Sequence, residues 1–366
     1  MIPIAKPQIG QTEKDAVMAV MDSGMLANGT VVADFETEFS RFCGAEFGIA
    51  TTSGTTALEV ALRALGIGVG DKVITTAYSF IASTNSILYT GATPIFADID
   101  QQTFNIDPVS IEQAVAAHPD AKALLVVHLF GQPCDMDAIC AIAKKNSLLL
   151  IEDCAQAHGS KWKGQVVGSF GDAACFSFYP TKNMTTGEGG MVVTSRPEVA
   201  DRARLLINHG MRVRYTHEII GYNYRMTNIA AAIGLAQFAR LAEFNAKRQA
   251  NARYFDDHLA NPLVRTPVVL SGATSVYHQY TIRVLDGHRD AFVQHLEANG
   301  VGYGIFYPFS IPEQPAYKGL GFSATWPVTD EIKQQVVSIP VHPGLSEEDV
   351  AQVAKVINEF KPKGVD

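Results

Sequence analysis

Apolar and polar positions along this chain switch repeatedly between a helical and an extended period, and the switches outline its elements. "TTALEVALRALG" (55–66) sets Ala57, Leu58, Ala61, Leu62 and Leu65 on one helical stripe, with Glu59 and Arg63 paired outside it and Gly66 as a stop. "DKVITTA" (71–77), "TPIFADID" (93–100), "ALLVVHLFG" (123–131) and "LLLIEDCAQ" (148–156) are short apolar runs that end in polar residues. A helix pattern, "DAICAIAKKN" (137–146), separates the last two. Strands buried on both faces and alternating with helices over residues 47–235 predict an α/β fold with a largely parallel sheet, whose ligands bind at the carboxyl ends of strands. "TNIAAAIGLAQFARLAEFNAKRQANARYFDDHL" (227–259) reads as one long or broken helix leading out of this region. Beyond it, "VYHQYTIRV" (276–284) alternates like an antiparallel strand, and "RDAFVQHLEANG" (289–300) is helical. "SEEDVAQVAKVINEF" (346–360) is helical too, with a capping-box start at Ser346 and Asp349. The expected division is a large domain, 1–244, with an N-terminal arm to about residue 30, and a smaller α+β domain, 245–366.

Composition narrows the class. With 47% hydrophobic and 18% charged residues, the 366-residue chain has enough apolar material for a sizeable core. A net charge of −8 and the absence of a Lys/Arg block argue against a nucleic-acid partner. "MIPIAKPQIG" lacks the layout of a secretory signal and no apolar run has membrane-spanning length, so a cytoplasmic protein without a membrane partner is expected. The five cysteines include no C-x-x-C pair, which argues against a disulfide framework and against a structural metal.

Chemistry enters with a lysine placed where burial is costly. "CFSFYPTKNMTTGEGGMVV" (175–193) begins as an apolar, aromatic run, reaches Lys182, and turns through glycines into a second apolar run. Either the ammonium snorkels to solvent, or its pKa is lowered for Schiff-base chemistry. Ser177 and "TGEGG" (186–190) put a hydroxyl and a tight turn beside that amine. In "TTSGTTAL" (51–58), Ser53, Gly54 and Thr55 stand where a strand gives way to a helix, which suits an anion or merely a helix cap. No Gly-Lys-Ser/Thr follows, so this is not a Walker loop. In "IEDCAQAHG" (151–159), Asp153 emerges from a buried run and needs a partner: a salt bridge, a cap, or a protonated heterocyclic nitrogen. Gln156 lies three residues on, within reach of a neighbouring ring oxygen. A phosphate cup, a ring-nitrogen carboxylate and a Schiff-base lysine, in that order, are the parts of a pyridoxal 5'-phosphate (PLP) enzyme.

Those stretches, together with "AYSFIAST", "VHLFGQP", "GYNYRMTNIAAAIGLAQ" and "IPVHPGLS", resemble the DegT/DnrJ/EryC1/StrS family of sugar aminotransferases, nearly from end to end. The resemblance implies a fold-type I PLP architecture, pyridoxamine phosphate as the aminated cofactor, L-glutamate as donor and a nucleotide-linked ketosugar as acceptor. It implies that Lys182 bonds the cofactor and carries the proton, that Asp153 pairs with the ring nitrogen, and that Gln156 faces the ring hydroxyl. Phe80 would stack on the ring, and Gly54, Thr55 and Ser177 would hold the phosphate. Asn223 resembles an asparagine that reaches the phosphate of a neighbouring subunit, which implies a homodimer with shared active sites. Arg225 and Tyr307 resemble substrate contacts. Two departures bear on the sugar: "FYP" (306–308) where relatives often have His-Tyr-Pro, and "ANGTVV" (27–32) where they commonly have Gly-Pro. The rival readings are a PLP- or PMP-dependent sugar dehydratase of the same fold and a regulatory relative without catalysis. A lysine at 182 speaks against the first, and the full set of Lys182, Asp153 and Gln156 against the second.

Overall fold

A computed structural model of the chain describes residues 1–322 and 325–362. Seven strands form the central sheet: β1 (Phe47–Thr51), β2 (Lys72–Thr76), β3 (Thr93–Ala97), β4 (Ala123–Val127), β5 (Leu149–Asp153), β6 (Ala173–Ser177) and β7 (Gly190–Thr194). Their order is β1-β7-β6-β5-β4-β2-β3. Every pairing is parallel except those of β7, which runs antiparallel to both β1 and β6. β4 reads ALLVV and is buried at every position, as a strand covered on both faces must be.

Helices α1 (Gln11–Ser23), α2 (Thr30–Cys43), α3 (Gly54–Ala64) and α4 (Ala82–Thr90) lie in the first third of the chain. In α3 the expected stripe is buried at Ala57, Leu58, Ala61 and Leu62, while Glu59 and Arg63 pair at 2.9 Å. The predicted helix over 227–259 is broken, into Asn228–Phe238 and Leu241–His258. The predicted strand over 276–284 is shorter than its alternation suggests. Only Tyr280–Val284 is extended, pairing antiparallel with Val336–Ile339. Residues 276–279 instead dock on the turn after β4, through Val276 N to Gly131 O (3.0 Å) and Gln279 N to Phe130 O (3.2 Å). Gly131 permits that approach: a Cβ there would lie 2.7 Å from the His278 nitrogen. The capping box of Ser346 and Asp349 forms.

Three apolar clusters flank the central sheet. A further cluster, centred on Phe255, Tyr280, Ile282, Phe292 and Ile357, fills the space between the Tyr280 strand and the C-terminal helices. Val328, Ile332 and Val336 return to the large core, so the last third of the chain contributes to both cores. Among the described residues no helix is long and apolar enough to cross a membrane.

β5 ends in two carboxylates, and strand geometry sends neighbours to opposite faces. Glu152 is wholly buried. Its Oε1 accepts from the amides of Phe170 (2.8 Å) and Gly171 (2.9 Å), and its Oε2 from that of Gly168 (2.9 Å). His128 Nε2 completes the set at 3.1 Å. His128 Nδ1 accepts the Cys134 amide, so Nε2 carries the proton. This carboxylate staples the 168–171 loop beneath the sheet and leaves Asp153 to the other face. Glu152→Leu would orphan those amides, and urea unfolding of the cofactor-free protein should show a loss of about 3–5 kcal/mol.

Candidate active site

The carboxyl ends of β1, β2, β5 and β6 open into one cavity of about 530 Å³. Asp153 is the last residue of β5 and Ser177 the last of β6; Ser53 caps α3 after β1, and Phe80 follows β2. Lys182 rides on the connection from β6 to β7. That connection is tied across its base, Phe178 N to Gly189 O at 2.9 Å and Thr186 N to Phe178 O at 3.0 Å. Its neighbour Asn183 is clamped by Asn245 Oδ1 (2.8 Å) and Val276 O (3.0 Å).

The Lys182 amine lines the cavity and has no hydrogen-bond partner among the described residues. Burial lowers its pKa from the ordinary 10.5 to about 8, with the Asp153 charge opposing the shift. The amine is therefore poised between its free and protonated forms near neutral pH. In cofactor-free protein, acylation of Lys182 followed by peptide mass spectrometry should rise with pH through a midpoint near 8. A midpoint near 10.5 would contradict this burial.

Asp153 is 3% exposed. Burial pushes its carboxyl pKa up, against the Ser83 hydroxyl at 2.7 Å, the Ala155 amide at 3.0 Å and the Lys182 charge. Each oxygen of this carboxylate thus accepts one protein donor, while the residue lines the cavity. Gln156 has its amide orientation fixed. Phe130, which adopts φ 59°, donates its N–H to Gln156 Oε1 at 2.7 Å. The Gln156 NH₂ is consequently the donor end, already bonded to the Tyr307 hydroxyl at 3.2 Å and suited to a second acceptor. Phe80 is 55% exposed, an apolar face at the cavity with its ring 6.1 Å from that of Tyr307.

The opposite end is built for an anion. Ser53 caps α3 by accepting the Thr56 amide at 3.2 Å. Among the described residues the Gly54 and Thr55 amides and the Ser177 hydroxyl remain without partners. Gly54 is required by proximity: a Cβ there would lie 2.6 Å from the Ser177 Cβ. Free amides at a helix start, a hydroxyl across from them, a carboxylate and an unpaired amine in one cavity match the phosphate, ring nitrogen and aldehyde of PLP. The donor set fits the cofactor.

Gly54, Thr55, Phe80, Asp153, Gln156, Ser177, Lys182 and Tyr307 all line this cavity. Asn223 and Arg225 do not. The Arg225 main chain bridges to Thr51 and its guanidinium bonds Asn208 Oδ1, while Asn223 is exposed and bridges to Asn208. Sequence reasoning missed Ser83, although a hydroxyl in the first turn after "AYSF" was a usable signal. It also missed the Phe130 amide, the N-terminal residues Ile4 and Ala5 in the cavity wall, and Tyr78, whose hydroxyl holds the Tyr307 main chain behind that wall. His128, Glu152 and Cys154 come within 4.8 Å of one another, but the Glu152 oxygens are committed to the amides and imidazole already described.

The chain matches the DegT/DnrJ/EryC1/StrS aminotransferase family over residues 7–358. It is 40% identical to GDP-perosamine synthase of Caulobacter vibrioides, covering 98% of each chain. It is also 40% identical to the UDP-N-acetyl-3-dehydro-alpha-D-glucosamine 3-aminotransferase of Acidithiobacillus ferrooxidans, covering 92% of this chain and 90% of that one. DesV of S. venezuelae, solved in complex with a ketimine intermediate, superposes with a TM-score of 0.92 at 37% identity, covering 95% of this chain and 93% of that one. The chain belongs to the DegT/DnrJ/EryC1/StrS aminotransferase family.

Proposed function

We propose that the protein is a PLP-dependent aminotransferase that moves an amino group from L-glutamate to a nucleotide-linked ketosugar, giving a nucleotide-linked aminosugar. The observation that carries this reading is the single cavity holding an amine of lowered pKa, a buried carboxylate and an anion cradle. The family and the relatives named for GDP- and UDP-linked sugars support it.

Bound PLP supplies an aldehyde that captures amines and a ring that takes up the electron pair left when a C–H bond breaks. Lys182 Nζ would take up the proton from the donor's α-carbon and hold it for return, and would do the same in reverse for the sugar. Asp153, held by Ser83 and Ala155, would keep the proton on the ring nitrogen. Gln156 would donate toward the ring oxygen, and Phe80 would cover one ring face against water. Gly54, Thr55 and Ser177 would hold the phosphate in place while Lys182 moves the proton.

The reading extends to a homodimer in which Asn223 and Arg225 serve the partner's cavity, since neither lines its own. Exposed Val213, Tyr215 and Ile220, in the stretch leading to Asn223, give apolar surface for such a contact. It also extends to a domain division near residue 245 and to a cytoplasmic protein. Tyr307 and Phe306, both in the cavity wall, would meet the substrate.

The test is a single-turnover panel followed by the cofactor's absorbance: L-glutamate for one half-reaction, and GDP-, UDP- and dTDP-linked aminosugars for the reverse of the other. Conversion by L-glutamate and by a nucleotide aminosugar is expected. Conversion by amino acids alone, with every nucleotide sugar inert, would remove the sugar from the assignment.

A further inference from the structure

Tyr78 takes no part in the reaction as described, yet its hydroxyl is fully engaged at the cavity wall. It follows β2 and is 1% exposed. Its oxygen accepts the Tyr307 main-chain N–H at 2.6 Å and its proton goes to the Tyr307 carbonyl at 3.0 Å. One side chain thus satisfies both main-chain groups of a residue 229 positions away. The two rings meet edge-on, with centroids 6.1 Å apart.

The other end of Tyr307 is constrained as well. Its hydroxyl oxygen accepts from Gln156 Nε2 at 3.2 Å, and Gln156 is itself locked by the Phe130 amide at 2.7 Å. The Tyr307 hydroxyl proton has no acceptor among the described residues, and the residue lines the cavity. Burial raises the Tyr307 phenol well above its ordinary value, so the group remains a donor at working pH. A donor braced at both ends and aimed into a ligand cavity is useful only while its backbone holds still.

We propose that Tyr78 is a positioning residue: its hydroxyl pins the Tyr307 main chain so that the Tyr307 O–H, braced by Gln156, is presented to an oxygen of the bound ligand. This rests on the PLP site proposed above, and the acceptor is either the cofactor's ring oxygen or a substrate oxygen.

The first measurement needs no cofactor. Amide hydrogen exchange of the peptide spanning residues 303–311 should be slow in the unmodified protein and at least about tenfold faster in Tyr78→Phe, with the central strands unchanged. Fast exchange in the unmodified protein, or no change in the variant, overturns the pin. The second uses PLP-loaded protein and compares Tyr78→Phe, Tyr307→Phe and the double variant. If the ring oxygen is the acceptor, the pH midpoint of the cofactor's visible band should shift by about half a unit or more in all three. If a substrate oxygen is the acceptor, the band should stay and KM in the L-glutamate or nucleotide-sugar half-reaction should rise about tenfold in all three. In either arm the double variant should match Tyr307→Phe alone. Effects that multiply in the double variant, or a Tyr78→Phe enzyme with neither change, overturn the proposal. Should the unmodified protein form no visible band with PLP, the cofactor assignment fails separately from the exchange result.

Discussion

Lys182→Ala should lower transamination by on the order of 10⁴-fold or more, because on the proposed function the variant would lose both the amine that bonds the cofactor and the base that moves the proton. The fold should survive. Among the described residues the amine makes no hydrogen bond, and the β6–β7 connection is held by main-chain bonds at Phe178 and by the Asn183 side chain. Turnover of L-glutamate to 2-oxoglutarate, followed by chromatography, measures the loss; a variant working at the parent rate would remove Lys182 from the reaction. Stability offers an independent check with a definite sign. The folded-state pKa, about 8, lies below the ordinary 10.5, so between those values the unfolded chain binds the extra proton. The cofactor-free parent should therefore gain stability as pH rises from 8 to 10.5. Lys182→Ala should lack that part of the slope in urea or thermal melts. Equal slopes would mean that the amine is not buried as described.

Asp153→Asn should cost on the order of 10²–10³ in kcat, the size of removing one preorganised electrostatic group from a closed site. The side-chain volume is kept, and the anion cradle at Gly54, Thr55 and Ser177 is untouched. PLP should still bind, with a modest fall in affinity detected by dialysis and absorbance. On the proposed function, what would be lost is the charge that holds a proton on the ring nitrogen, and with it the ring's capacity to accept electrons. The carboxylate is already strained toward neutrality by burial, and Ser83 and Ala155 are the groups that resist this. Loss of cofactor rather than rate would mean that Asp153 is an anchor and not an electrostatic partner.

The two residues behind these expectations were readable because their signals are local. Asp153 and Lys182 each interrupt or follow an apolar run, and such runs report strand ends without reference to the rest of the chain. The α3 stripe was legible for the same reason. Helix α2 was not anticipated, although Val32, Phe35, Phe39 and Cys43 carry a helical spacing that its structure buries. The predicted strand over 276–284 failed at its first residues because contact with the turn at Phe130 and Gly131 overrode the alternation. Nothing in either segment announces that contact. The Tyr78–Tyr307 pair is the extreme case: its two members sit in unrelated sequence contexts and meet only after the chain has returned from its last third. Local pattern gives the chemistry of single positions, while packing decides which of them share a cavity.

The antiparallel intrusion of β7 has a mechanical corollary. Elsewhere in the sheet, consecutive neighbours run parallel and are joined by the longer crossovers 77–92, 128–148 and 154–172, but the segment bearing Lys182, 178–189, joins two antiparallel neighbours. Such a short hoop, riveted at both feet, has little freedom to swing. Any travel of the Lys182 amine must then be made by rotation about the lysine's own methylene bonds, with the polypeptide beneath it stationary.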